Sequence, residues 1–201
     1  MASYTSLVRL YIHGFPEVMH LPEEIGPTHA NNLHTLNISG CPKLRSLSHQ
    51  LKYLHSLKEL RILDCPELVL PLLDGSQEQQ PCPPLNSIKR LGISASCEKQ
   101  RLLPGEGMIM TSLEELEIIK CGNLESLCSE GLQNLTSLYI DECPKVWSSP
   151  VWLRNLTSLK KPDVVVLDGT TSWTNPLENL KSLEHLSLSS GPDMTDFPEW
   201  I

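Results

Sequence analysis

Apolar residues in this chain recur in one arrangement: a leucine, a second three positions on, an isoleucine two beyond that, and a small residue three further. Polar and charged letters fill the gaps. The clearest copies are Leu33-x-x-Leu36-x-Ile38-x-x-Cys41-Pro42, Leu57-x-x-Leu60-x-Ile62-x-x-Cys65-Pro66, Leu113-x-x-Leu116-x-Ile118-x-x-Cys121-Gly122 and Leu135-x-x-Leu138-x-Ile140-x-x-Cys143-Pro144. Looser copies are Leu7-x-x-Leu10-x-Ile12, Ile88-x-x-Leu91-x-Ile93 and Leu183-x-x-Leu186-x-Leu188-x-x-Gly191-Pro192. Counting from the first leucine, positions four and six lie two apart, so on a strand they enter one core together, while positions two, three and five are left for the other face.

The units start at residues 7, 33, 57, 88, 113, 135, 159 and 183, with steps of 26, 24, 31, 25, 22, 24 and 24 residues. That spacing falls in the leucine-rich-repeat range. One unit cannot bury its apolar side alone, so units stack, each strand about 4.8 Å from the next in a parallel sheet. The expected fold is α/β: a leucine-rich-repeat solenoid, or horseshoe, with a parallel concave sheet and short helical or irregular convex segments. Leu44, Leu68, Leu124 and Val146, then Leu47 and Leu127, carry the core to the outer side, where the Leu51, Leu54 and Leu132, Leu135 stretches allow a short helical or irregular turn. Position nine is small in each clear unit (Cys41, Cys65, Cys121, Cys143), with Ser96 or Cys97 in the fourth. The proline after it is expected to end the strand, because proline has no ladder donor.

Residues 1–201 therefore read as a single domain of about seven to eight units, broken in two places. The 71–84 segment holds four prolines and a polar centre, an extruded loop. It is either a tolerated insertion, since doubling a loop costs only about 0.6 kcal/mol, or a contact loop. The unit at 159–175 puts Pro162 where a leucine belongs, which predicts a bulged or broken strand, with Val164-Val165-Val166-Leu167 as a strand in another register. The chain stops at Ile201 in mid-unit without a polar cap, as expected of a piece of a longer protein.

Composition narrows the chemistry. The chain is 40% hydrophobic with 2 Phe, 4 Trp and 4 Tyr, so its core is aliphatic. No run approaches the roughly 18 apolar residues of a membrane span, and the N-terminus lacks the parts of a signal peptide. A cytoplasmic or nuclear chain is the expectation, and its seven cysteines then read as reduced structural thiols. Stacked position-nine cysteines would lie within disulfide reach, so geometry leaves a bridge open and compartment argues against it. A linear stack of thiols does not make a tetrahedral zinc site. A net charge of -8 gives no general affinity for nucleic acid. No phosphate loop, nucleophile elbow or zinc-protease helix occurs, so no catalytic, cofactor or metal site is expected and the chain does not read as an enzyme. Thiol or metal chemistry by the cysteines is the competing enzymatic reading.

Function is sought in the letters the repeat leaves free, because the concave sheet of a solenoid is its broad binding surface. The candidate partner-binding residues are Arg9, Tyr11, His34, Asn37, Lys58, Arg61, Lys89, Arg90, Glu114, Glu115, Glu117 and Tyr139. Lys58, Arg61, Lys89 and Arg90 form a basic belt beside the acidic belt of Glu114, Glu115 and Glu117. Parallel register would set Lys89 beside Glu114 and Arg90 beside Glu115, exposed pairs contributing about 0.2–1 kcal/mol. The belts either neutralise each other or recognise a partner; one acidic strand cannot pair all four cations.

The unit Leu-x-x-Leu-x-Ile-x-x-Cys-Pro-x-Leu-x-Ser-Leu, joined by Asn-Leu-Thr-Ser-Leu at 134–138 and 155–159, resembles the C-terminal repeats of plant intracellular nucleotide-binding leucine-rich-repeat disease resistance proteins, of the coiled-coil type. The likeness covers nearly the whole chain except 71–84 and 160–175. It implies recognition of a pathogen effector or guarded host protein, or contact with other domains of the same receptor, and help in holding the receptor inactive. The family's nucleotide switch lies in another domain, and no residue here matches its phosphate loop. The alternative is the substrate-recognition repeats of an F-box ubiquitin ligase adaptor, although those follow the cysteine with an Ile-Thr-Asp type helix start that is missing here.

Overall fold

The computed structural model describes residues 6–29, 31–70, 85–96, 99, 101–103, 110–128, 131–148, 150–163, 165–167 and 177–190. The 71–84 insertion, Cys82, Cys97 and the end of the last unit lie outside these residues. Strands follow as β1 (Arg9–His13), β2 (Thr35–Ser39), β3 (Glu59–Leu63), β4 (Arg90–Ser94), β5 (Leu102–Leu103), β6 (Glu115–Ile119), β7 (Ser126–Leu127), β8 (Ser137–Asp141), β9 (Lys161–Asp163), β10 (Val165–Leu167) and β11 (Leu188–Ser190). Seven of them form one sheet, ordered β1-β2-β3-β4-β6-β8-β9, every neighbouring pair parallel. The fold is the α/β leucine-rich-repeat solenoid that the spacing predicts.

Register is the same at every step. Leu10, Leu36, Leu60, Leu91, Leu116, Leu138 and Pro162 stand in one column, and Ile12, Ile38, Ile62, Ile93, Ile118 and Ile140 in the next. From Leu36 to Ile140 these side chains are at most 2% exposed. Each such leucine contributes about 1.5–3 kcal/mol, and a one-residue slip would turn a whole column to water. Leu10 and Ile12, on the edge strand β1, are only partly buried.

The sequence reading assigns the end of each strand to the proline at position ten. The strands end earlier, at position seven, and the unit with Gly122 in place of proline ends at the same letter. The turn is made at position eight, where Gly14, Gly40, Asp64, Ala95, Lys120 and Glu142 all have φ between 48 and 72°. Each amide from Gly14 to Lys120 donates to the position-seven carbonyl of the next unit, at 2.9–3.0 Å. This last rung helps to offset the left-handed backbone, which costs a non-glycine residue about 1–2 kcal/mol.

The same corner drops position nine into the core. Cys41, Cys65, Ser96, Cys121 and Cys143 each donate a side-chain hydrogen bond to the carbonyl two residues earlier. Ser96 is thus the ninth letter of the fourth unit. The side chains also link units, for the Cys65 amide donates to Ser96 Oγ (2.9 Å) and the Cys121 amide to Cys143 Sγ (3.3 Å). Burial pushes the Cys65 thiol up to about 11, against the opposing pull of the Cys41 backbone N–H. The Cys143 thiol is also raised, first by its hydrogen bond with the Cys121 side chain and then by burial.

Among the described residues, the returning side of the units carries short pieces: α1 (Ile25–His29), α2 (Ser48–Leu51), 3-10 turns at Pro144–Ser148 and Pro150–Asn155, and the narrow parallel pair β5-β7. Leu44, Leu47, Leu51, Leu54, Leu68, Leu124, Leu127, Leu132, Leu135 and Val146 are all buried beneath them. The buried Gln50 amide donates to the carbonyls of Leu21 and Pro22, tying this side of one unit to the unit before.

Pro162 does not displace its strand. It is buried in register with Leu138, and Lys161–Asp163 pairs with β8. Its carbonyl accepts from the Ser187 amide, on the side away from β8. In a parallel strand a residue's N–H and C=O point the same way, so the donor that proline lacks faces the next unit and costs no bond to β8. β10 pairs with β11 in a second, two-stranded sheet; Val164 and residues 168–175 of the unit expected to be irregular lie outside the described residues.

The left-handed corner yields a stability prediction. Ala95→Gly relieves about 1–2 kcal/mol of strain against about 0.5–1 kcal/mol of extra unfolded freedom, for an expected gain of up to about 1.5 kcal/mol in urea denaturation. Gly40→Ala, at φ 61°, is expected to lose stability; a gain there would show that position eight does not control the turn.

Candidate functional site

Eight of the twelve candidates are strand residues at positions three and five, and His34, Lys58, Lys89 and Glu114 stand one residue before their strands, at position two. Tyr11 is 64% exposed; Arg9, Lys58, Arg61, Lys89, Arg90 and Glu115 are exposed, and His34, Asn37, Glu114, Glu117 and Tyr139 are half-buried. Arg9, Tyr11, His34 and Asn37 lie toward the β1 edge, and the other eight cluster over β3, β4, β6 and β8. Parallel register places them, since each letter of a unit lies against the same letter of its neighbours.

The charges pair differently from the expectation. Lys89 Nζ reaches Glu114 Oε1 at 2.6 Å, as the register predicts. Arg90 does not pair with Glu115; it turns the other way and its Nη2 meets Glu59 Oε2 at 3.3 Å. The Arg61 Nε–H donates to the other Glu59 oxygen at 2.9 Å. Both acids flank Arg90 in register, but the Glu59 side chain is only 18% exposed. A charge withdrawn from water interacts more strongly with its neighbours, so the guanidinium goes there. Burial alone would raise the Glu59 pKa; the hydrogen bonds and charges of Arg61 and Arg90 outweigh it, and the carboxyl titrates below its ordinary 4.5.

Glu59 changes the reading of the belt. Lys58, Arg61, Lys89 and Arg90 face Glu59, Glu114, Glu115 and Glu117, four charges against four. The belt is therefore neutral as a whole. Lys58 and Glu115 make no ion pair among the described residues.

Position five contains the other feature. Its column runs Tyr11, Asn37, Arg61, Gly92, Glu117, Tyr139. Gly92 leaves a gap over which the Arg61 stem leans, and a Cβ there would meet Arg61 Cγ at 3.4 Å and Glu117 Oε2 at 3.6 Å. Arg61 Nη1 stops 3.9 Å from Glu117 Oε2, an ion pair across an intervening strand. The gap is a depression of about 140 Å³ with Arg61, Arg90, Glu115, Glu117, Ser137 and Tyr139 around Gly92.

Glu59 and Gly92 stand at positions three and five of their units and are not among the twelve candidates. The signal for Glu59 lies in the register, because Arg90 has two neighbours in it, Glu59 as well as Glu115. Gly92 carries no such signal, since an absent side chain becomes a feature only between the long ones beside it.

Strands in one parallel register, with constant letters inward and variable letters outward, define a leucine-rich-repeat solenoid. No protein-family model matches the chain. Disease resistance protein RPS4B of Arabidopsis thaliana is 30% identical to it over 178 residues, 88% of this chain and 14% of that relative. The chain is thus similar to a small part of a plant disease resistance protein. Among the described residues no helix is long and apolar enough to cross a membrane, and no group of three or more His, Cys, Asp or Glu is placed to hold a metal ion.

Two predictions follow from Glu59 and Gly92. A carboxyl whose folded pKa is depressed stabilises the fold at pH above its unfolded value, and that stability is lost as pH falls through the folded one. Glu59→Gln should therefore destabilise the protein at neutral pH, with the difference from wild type shrinking below the ordinary value of 4.5; a difference constant over that range would refute the pairing. Gly92→Ala should leave the Glu59 titration unchanged in carboxyl NMR. Gly92→Leu should move it upward, because the larger side chain pushes Arg61 aside.

Proposed function

We propose that this chain is a protein-recognition module of an intracellular plant immune receptor, which reads a pathogen effector or guarded host protein on the open sheet face and helps to hold the receptor at rest. The carrying observation is the contrast between adjacent columns. Position six is isoleucine in six successive units, whereas position five runs through Tyr, Asn, Arg, Gly, Glu and Tyr. A scaffold needs the first column to be uniform, and nothing in packing requires the second to vary. Similarity to part of a plant disease resistance protein supports the biological setting.

Recognition on this face rests on pattern rather than on net charge, because the central belt is neutral. The partner is a protein; the reading assigns no nucleic acid, cofactor or reaction to the chain. A cytoplasmic or nuclear receptor fits it, with the reduced thiols as scaffold.

The test separates recognition from stability. Lys89→Glu breaks one exposed pair, 49% and 47% exposed, and should cost less than about 1 kcal/mol of stability. The exchange Lys89→Glu with Glu114→Lys restores the pair in reverse and should recover that stability. In a reconstituted receptor both variants should alter partner capture or the resting state. Wild-type behaviour of both, together with charge-altering variants at Lys58 and Arg61, would remove the sheet face from the function.

A further inference from the structure

The geometry points to a recognition site at Gly92 for a single arginine side chain presented by the partner protein; this inference rests on the proposal that the sheet face binds protein. The depression, about 140 Å³, lies well below the roughly 300–1,000 Å³ of small-molecule sites. It suits one side chain inserted from a facing surface.

The charges around the depression select the sign. Arg61 and Arg90 are both drawn to the Glu59 carboxylate, and the carboxylates of Glu115 and Glu117 stand on the opposite side. The depression is lined by two guanidiniums and two carboxylates, and both guanidiniums turn toward Glu59 outside the lining, away from Glu115. Glu115 has no ion pair among the described residues, and Glu117 is met by Arg61 only at 3.9 Å, beyond hydrogen-bond range. Both retain the capacity to accept.

Their spacing selects arginine over lysine. Glu115 and Glu117 are alternate residues of β6, so their side chains leave the same face about 6.7 Å apart along the strand. A planar guanidinium with five N–H donors can bridge two carboxylates, whereas an ammonium presents a point charge. Tyr139, beside Glu117 in register and lining the depression, supplies an aromatic wall on which a guanidinium can stack.

The test uses the chain itself with acetyl-Gly-Arg-Gly-amide as the probe, followed by NMR at the Gly92 amide and the Tyr139 ring. Saturable shifts are expected with this peptide, and none with its citrulline counterpart, which keeps the shape and lacks the charge. Glu115→Gln with Glu117→Gln should weaken the response about tenfold or more, while Glu184→Gln, on a distant unit, leaves it unchanged. Equal shifts from the citrulline peptide, preference for acetyl-Gly-Glu-Gly-amide, or an undiminished response in the double variant would each overturn the inference. Loss of partner capture through Lys89→Glu with no effect of the Glu115 and Glu117 substitutions would overturn this site and leave the wider recognition reading standing. Specific binding of the arginine peptide in a receptor whose partner ignores the sheet face would do the reverse.

Discussion

In-register parallel stacking is the constraint from which the remaining features of this protein follow. Each letter of a unit lies against the same letter of the next, so one apolar choice repeated along the chain becomes a continuous column. The inward leucines and isoleucines cannot reach such burial within a single unit, and they reach it only because neighbours supply matching surfaces at a spacing of about 4.8 Å. The corner at position eight and the buried Cys or Ser at position nine belong to the same constraint. They pass a hydrogen bond from unit to unit where the strand has ended, so the ladder continues round the turn.

The same rule that makes the core uniform gives the open face its electrostatics. A charged side chain there has two register neighbours, and the less solvated carboxylate takes the guanidinium. Glu59 lies between Arg61 and Arg90, so a belt that looks basic letter by letter is neutral in space. Gly92 acts in the complementary way: it removes one side chain from a column and lets a long neighbour cross to a third strand. The result is a face with separate features at separate places rather than one surface of a single sign.

Much of the fold was legible because periodicity is a local signal with a global consequence. Leucine spacing implies a strand, strand faces imply stacking, and stacking in parallel fixes which residues are neighbours. The pairing of Lys89 with Glu114 could be read in that way. Pro162 shows where the inference stopped: the expected cost of a missing donor depends on which side that donor would face, and the letter P does not say. It is tolerated in register with β8 because the missing donor faces the next unit and not β8. Ser96 was unresolved against Cys97 for a similar reason, since the choice depends on the path of the corner.

By itself the sequence determined the repeat, the parallel sheet, the two inward columns and the list of residues on the open face, because a period of two and a constant unit leave little freedom. Tertiary structure alone decided that the turn lies at position eight, that Arg90 chooses Glu59 over Glu115, and that Gly92 opens a depression rather than a flat stretch. These outcomes depend on solvent exposure, backbone dihedrals and the reach of long side chains across strands. Residues far apart in the chain set those quantities once they are brought together.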